Sequence, residues 1–352
     1  MGLYPKMRRK TVFESVLEAT TEDYHNPGKI WYRSDLKRIR FALDEKAVMD
    51  IFKVKHLTPP WLLQLSGVAL GNYPTDIDIS PDGKFLAVAN PNDHKIHIYL
   101  IPYLEFVANL IRDNAFPICC RFSPDGKYLG LAETQRIILA SIPNFNVVAY
   151  SDGTPSYLDF SPSGKYLAVN QEGVLKLLSV PNLELVVSKQ IGYSGYYIRF
   201  SPNEKYLAMT YFGDESCVLE LFSIPMLESI KVINLVSEGS AHIDFSPDGK
   251  YLVVVDCNNA IKLLSVPDLE EISRYEHSDV FNCSFSPDGK YIASIFGYPT
   301  NLVKIMTIPE LQTIGEAQAY NPSYIKFSPD GKYLAIANSG QYPQDATVEI
   351  WI

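Results

Sequence analysis

The side chains best suited to chemistry are few and scattered. The histidines stand at His25, His56, His94, His97, His242 and His277, without the paired spacing of a metal site. Of five cysteines, Cys119 and Cys120 are adjacent inside an apolar run and the others are isolated, which reads as buried thiols rather than a redox or metal pair. Gly-x-Ser-x-Gly, His-Glu-x-x-His, the phosphate-binding loop and the EF-hand loop do not occur. No catalytic residue, metal or cofactor is expected. The acidic residue that recurs most regularly, the aspartate of "SPDGK", sits between Pro and Gly and reads as a turn former, not a ligand.

That phrase leads from residues to elements. Its serine falls at Ser80, Ser123, Ser161, Ser201, Ser246, Ser286 and Ser328, at intervals of 43, 38, 40, 45, 40 and 42 residues. The period is that of four-stranded propeller blades. Each unit has an apolar strand ending in Phe or Ile, the tight turn, a second strand such as "FLAVAN", a variable loop, and a third strand such as "IKLLSVP". A Pro-x-Leu corner then opens a fourth strand. Two copies depart from the phrase. "SPSGK" carries Ser163 for Asp, which a turn tolerates. "SPNEK" puts Glu204 where Gly belongs, at a cost of about 1 kcal/mol in a left-handed conformation, so either Asn203 takes that conformation or the turn differs. The seventh unit stops at Ile352 after its third strand. An open ring would leave an exposed edge, so "PWLLQLSGVAL" (60–70) is expected to supply the missing strand, with Trp61–Ser66 pairing with Val348–Ile352.

Residues 61–352 thus resemble a WD40-like propeller of the YVTN or "SPDGK" type, "LAVAN" and "LAIAN" carrying that flavour. The expected fold is all-β: a seven-bladed β-propeller of four-stranded blades, closed by an N-terminal strand and preceded by a small arm (1–60). The chain departs from true WD40 repeats in lacking Gly-His before the first strands and Trp-Asp closing the third; only Trp351 stands near such a place.

The arm is basic, with 12 Lys and Arg against 8 Asp and Glu, whereas residues 61–352 hold 19 against 32. An acidic body argues against non-specific nucleic-acid binding. Neither a long apolar run nor a signal-like start occurs, so no membrane insertion is expected. "TVFE" (11–14) reads as a helix capping box, and residues 26–52 read as a three-strand meander. That stretch resembles a short module of bacteriophage tail-fibre and appendage proteins through Pro27, Gly28, Ile30, Trp31, Tyr32, Leu36, Ile39, Arg40, Phe41, Val48 and Ile51. The resemblance implies a non-enzymatic structural or attachment component of a virion, made in the host cytoplasm. Trp31, Tyr32, Phe41, Arg8 and Arg9 would then form an interface to other virion proteins or to copies of itself.

In a propeller the "SPDGK" turns and Pro-x-Leu corners share one face. The opposite face carries longer loops rich in Tyr, Asn, Asp and Gly, a composition suited to protein or sugar contacts. Its candidate binding residues are Tyr196, Tyr197, Tyr211, Tyr298, Tyr342, Asn92 and Asp214, facing a protein or a host-surface glycan. Two other readings stand beside this one: a cytoplasmic protein-interaction scaffold, and a lactonase-like enzyme working at the central channel.

Overall fold

The repeating phrase builds the same hub seven times. In a computed structural model describing residues 30–33, 38–41, 64–70, 73–111, 115–192, 195–214, 216–235, 241–256, 260–277, 279–340 and 345–352, each turn serine is buried. Its hydroxyl accepts the N–H five residues on, as Phe85 N–H to Ser80 Oγ at 2.8 Å and Tyr251 N–H to Ser246 Oγ at 2.9 Å. The same hydroxyl donates to the turn aspartate, 2.7 Å in Ser80–Asp82, and that carboxylate also accepts the lysine N–H at 3.1 Å. The glycine sits at φ near +70°, where only Gly is free of strain. The serine, aspartate, glycine and lysine of "SPDGK" are all used in closing the turn.

Seven four-stranded antiparallel sheets result, the last running Pro322–Phe327, Leu334–Asn338, Thr347–Trp351 and Gln64–Ala69. The closing strand pairs as expected, with Ala69 opposite Thr347, Ser66 opposite Ile350 and Gln64 opposite Trp351; Trp61–Leu63 lie outside the described residues. The innermost strands are Asp76–Ile79, Pro117–Phe122, Pro155–Phe160, Gly195–Phe200, Ala241–Phe245, Val280–Phe285 and Pro322–Phe327. They touch in succession around the axis, the last meeting the first. Second strands are covered on both faces, Leu86, Ala87, Val88 and Ala89 being fully buried. Fourth strands alternate half-buried with exposed residues, as the outer rim of a ring should.

The Pro-x-Leu corners add a second device. After Pro102, Pro143, Pro181, Pro225, Pro267 and Pro309, the residue two positions on is left-handed: Leu104, Phe145, Leu183, Leu227, Leu269 and Leu311, at φ of 52 to 57°. A non-glycine residue there costs about 1–2 kcal/mol. Each of these side chains is buried in the core between blades; Leu104, for example, packs with Leu86 and Tyr99 of its own blade and Ala335 and Val348 of the last. Burying such a side chain is worth about 1.5–3 kcal/mol, which offsets the strain.

In the arm, Ile30–Arg33 pairs with Arg38–Phe41, two strands of the expected meander. The third strand and the capping box lie outside the described residues.

Candidate functional site

Strand residues two apart share a face, so the innermost strands present two stacked rings to the axis. Two positions before the turn serines stand Asp78, Arg121, Asp159, Arg199, Asp244, Ser284 and Lys326. Four positions before stand Asp76, Cys119, Tyr157, Tyr197, His242, Asn282 and Tyr324. The first ring nearly alternates in charge, and its acceptors follow one rule: each takes a backbone N–H from the next blade. Asp78 accepts from Phe122 at 2.8 Å, Asp159 from Phe200 at 2.9 Å, Asp244 from Phe285 at 3.0 Å and Ser284 from Phe327 at 3.2 Å. Arg and Lys cannot accept, and they bridge by charge instead. Arg121 pairs with Asp76 at 2.5 Å and donates to the Tyr157 hydroxyl. Arg199 reaches the same hydroxyl at 3.3 Å and lies 4.0 Å from Asp244, while Lys326 lies 4.0 Å from Asp78.

Burial governs the acid–base state of these groups. It pushes the Asp76 and Asp159 carboxyls up, against the pull of Arg121 and Arg199. It pushes the Cys119 thiol up to about 12 and holds His242 well below the ordinary imidazole value. Cys283 Sγ lies 3.7 Å from His242 Nδ1. The void between the rings is only about 10 Å³, room for about one water. A wider mouth of about 260 Å³ opens on the turn side, lined by the charged ring with Phe122, Phe160, Phe200 and Phe245. Among the described residues no three His, Cys, Asp or Glu side chains gather to hold a metal. The channel is a cross-braced axle whose polar groups serve one another.

On the loop face, Asn92 and Asp214 are exposed and Tyr298 is 79 % exposed. Tyr196 is half-buried. Two tyrosines do not belong to that face. Tyr197 turns into the channel, its ring 4.9 Å from Tyr157 and 4.8 Å from His242. Tyr211 is buried, its hydroxyl donating to Glu220 Oε2 at 2.7 Å. Both sit on strands, where period-2 alternation carries a side chain inward whatever its polarity. Tyr342 and the side chains of Trp31, Tyr32, Phe41, Arg8 and Arg9 lie outside the described residues.

Sequence reading missed the partners of Tyr298. Phe281, 45 % exposed, lays its ring over Gly297, where an added Cβ would stand 2.2 Å from Phe281 Cε2. Tyr320, 41 % exposed, rides on the next interblade loop. The three loops are stitched by backbone bonds: Gly297 N–H to Asp279 O at 2.9 Å, Asn301 N–H to Gly297 O at 2.7 Å, and Ala319 N–H to Asn301 O at 3.0 Å. Asn321 N–H adds a bond to Asn301 Oδ1 at 3.1 Å. An exposed aromatic trio on fixed backbone results. Phe281 was disguised because it stands in a strand whose other residues are all buried.

The family described as WD domain, G-beta repeat matches residues 270–295, from the end of the fifth blade into the sixth. Among solved structures, the Myceliophteria thermophila Cps50 (Swd1) beta-propeller domain is similar at 15% identity and a TM-score of 0.67, covering 80% of this chain and 96% of that one. A chain from a Mitotic Checkpoint Complex crystal structure is similar at 16% identity and a TM-score of 0.70, covering 84% of this chain and 95% of that one. No curated protein sequence matches. At these identities the likeness defines the class by fold: a WD40-like seven-bladed β-propeller. No comparison supports the tail-fibre resemblance of residues 27–51 or a place in a virion.

Proposed function

We propose that this protein is a non-enzymatic protein-interaction scaffold whose partner docks on the loop face around Phe281, Tyr298 and Tyr320. The observation that carries the reading is the exposed aromatic trio held on stitched loops. Rigid aromatics bind with little entropy loss and are enriched at interface hot spots. Two further features favour a protein partner. The channel has no room for a substrate between its rings, and one similar propeller belongs to a named multiprotein complex.

A photo-crosslinking residue at position 298, compared with one at the exposed Met226 on the opposite face, tests the reading in the source cell. Protein adducts are expected from position 298 and are expected to fade when Phe281 or Tyr320 is changed to Ala. Adducts from position 226 alone, or equally from both, overturn it.

A further inference from the structure

The charges placed beside the aromatic trio are acidic. Glu276 and Asp279 precede Phe281 on the connection into the sixth blade, and Glu316 precedes Tyr320 near the end of that blade's outer strand. Asp345 joins them from the seventh blade. Asn321 Nδ2 donates to Gly340 O at 2.8 Å, and a Cβ added at Gly340 would stand 2.6 Å from Asp345 Cβ. The Glu276 and Glu316 side chains are 76 % and 58 % exposed.

The bases of the same region are engaged elsewhere. From residue 257 to 352 the sequence holds Lys262, Arg274, Lys290, Lys304, Lys326 and Lys332. Lys290 and Lys332 pair with Asp288 and Asp330 in turns on the opposite face, and Lys326 belongs to the channel. Lys262 is buried against Asp256 at 2.9 Å. Lys304 turns inward, its Nζ 3.0 Å from the Tyr275 hydroxyl and over the Tyr275 and Phe296 rings, and it meets Glu316 only at 3.7 Å. Arg274 gives two bonds of 3.0 Å to Glu271 on the outer rim and lies 3.5 Å from Glu276. The outward rings therefore sit in a negative field.

Exposed rings and carboxylates side by side favour one kind of cation. A guanidinium stacks on an aromatic face and bonds a carboxylate at two points, whereas an ammonium is a compact, strongly hydrated charge. We propose that the partner segment seated on Phe281, Tyr298 and Tyr320 presents arginine, its guanidinium groups stacking on the rings and pairing with Glu276 and Glu316. This assignment rests on the reading that a protein partner docks on the loop face.

Two measurements on the full chain test it. In the first, fluorescence anisotropy follows short labelled peptides that alternate serine with arginine, lysine or glutamate. The arginine peptide is expected to bind at least about threefold tighter than the lysine peptide, to weaken as salt is added, and the glutamate peptide not to bind. Tyr298→Ala is expected to weaken the arginine peptide about 5- to 10-fold, and Glu276→Gln or Glu316→Gln about 2- to 4-fold each. Asp152→Asn, which removes an exposed acid at the loop end of the second blade, is expected to leave binding unchanged. A lysine peptide that binds as tightly, binding untouched by Tyr298→Ala, or equal weakening by Asp152→Asn overturns the proposal. In the second, the crosslinks from position 298 are mapped by mass spectrometry. An arginine-bearing segment of another protein is the expected adduct. An acidic or apolar segment of another protein overturns the arginine assignment and leaves the docking face standing. Attachment within the same chain or to a second copy overturns it as well, and no adduct at position 298 overturns the docking face itself.

Discussion

The two departures from the repeated phrase answer each other. Glu204 itself adopts the left-handed conformation, at φ 56°, so neither Asn203 nor a different turn relieves it. Its carboxylate accepts the Ser163 N–H and the Ser163 hydroxyl, both at 2.8 Å, across the gap between blades three and four. The serine that replaces aspartate in one turn is therefore the partner of the glutamate that replaces glycine in the next. Ser163→Asp alone sets a carboxylate beside Glu204 and is expected to destabilise by about 1 kcal/mol; in a Glu204→Gly background it is expected to be neutral or stabilising. A double-mutant cycle by urea unfolding reads the coupling, and additive effects would refute it. None of this was legible in either copy alone: each looked like a tolerated lapse until the fold set them side by side.

The channel acids give a second test at this scale. Burial raises the Asp76 carboxyl and Arg121 opposes that rise. A carboxyl raised on folding contributes stability that is full below its unfolded value and is lost as pH climbs through the folded value. Arg121→Leu removes the opposing charge and raises the group further. Stability of Arg121→Leu should therefore fall by about 3–5 kcal/mol as pH rises above the ordinary carboxylate range, because Asp76 would then be a buried unpaired charge. Asp76→Asn in the same background should abolish that slope in Tm-versus-pH measurements. The turn aspartates carry the opposite sign. Partial burial raises Asp82 and Asp125, but bonds from the turn serine and lysine outweigh it and hold both below the ordinary value. Their contribution is lost as pH falls through that lowered value.

At the scale of elements, the strands and their closure were written in the sequence because each repeat supplies its own turn chemistry and apolar run. The channel was not, since its residues appear as one or two polar positions inside each short, otherwise apolar strand. Superposing the seven copies on their serines, two and four residues back, is the operation that reveals the rings. The same copying explains why closure depends on one donated strand. Removing residues 1–72 should leave Thr347–Trp351 as an open apolar edge, and the expected product is an aggregate, seen by light scattering. A monodisperse, fully folded truncation would show that the seventh blade stands on three strands. Corner plugs should behave alike: Leu183→Ala is expected to cost about 2–5 kcal/mol, by transfer and cavity terms together.

At the scale of the whole molecule, the residues that hold the ring and those proposed to bind are segregated. The turns, corners and channel hold the ring, and the aromatic trio lies on the opposite face, bonded to loops rather than to the core. Tyr298 is 79 % exposed, so replacing it removes little buried area. Tyr298→Ala should leave Tm within about 1–2 °C of the parent while weakening the crosslinked partner by about 1–3 kcal/mol, roughly 5- to 150-fold in Kd. Leu183→Ala should do the reverse, lowering Tm by several degrees with Kd unchanged at temperatures where the ring stays folded. Calorimetric titration of both variants with that partner, alongside their thermal unfolding, separates the two. A Tyr298→Ala protein that loses stability and affinity together would mean the patch braces the sixth blade instead of meeting a partner, and the binding face would have to be sought among the exposed apolar residues of the outer rim, such as Phe106, Tyr150 and Leu185.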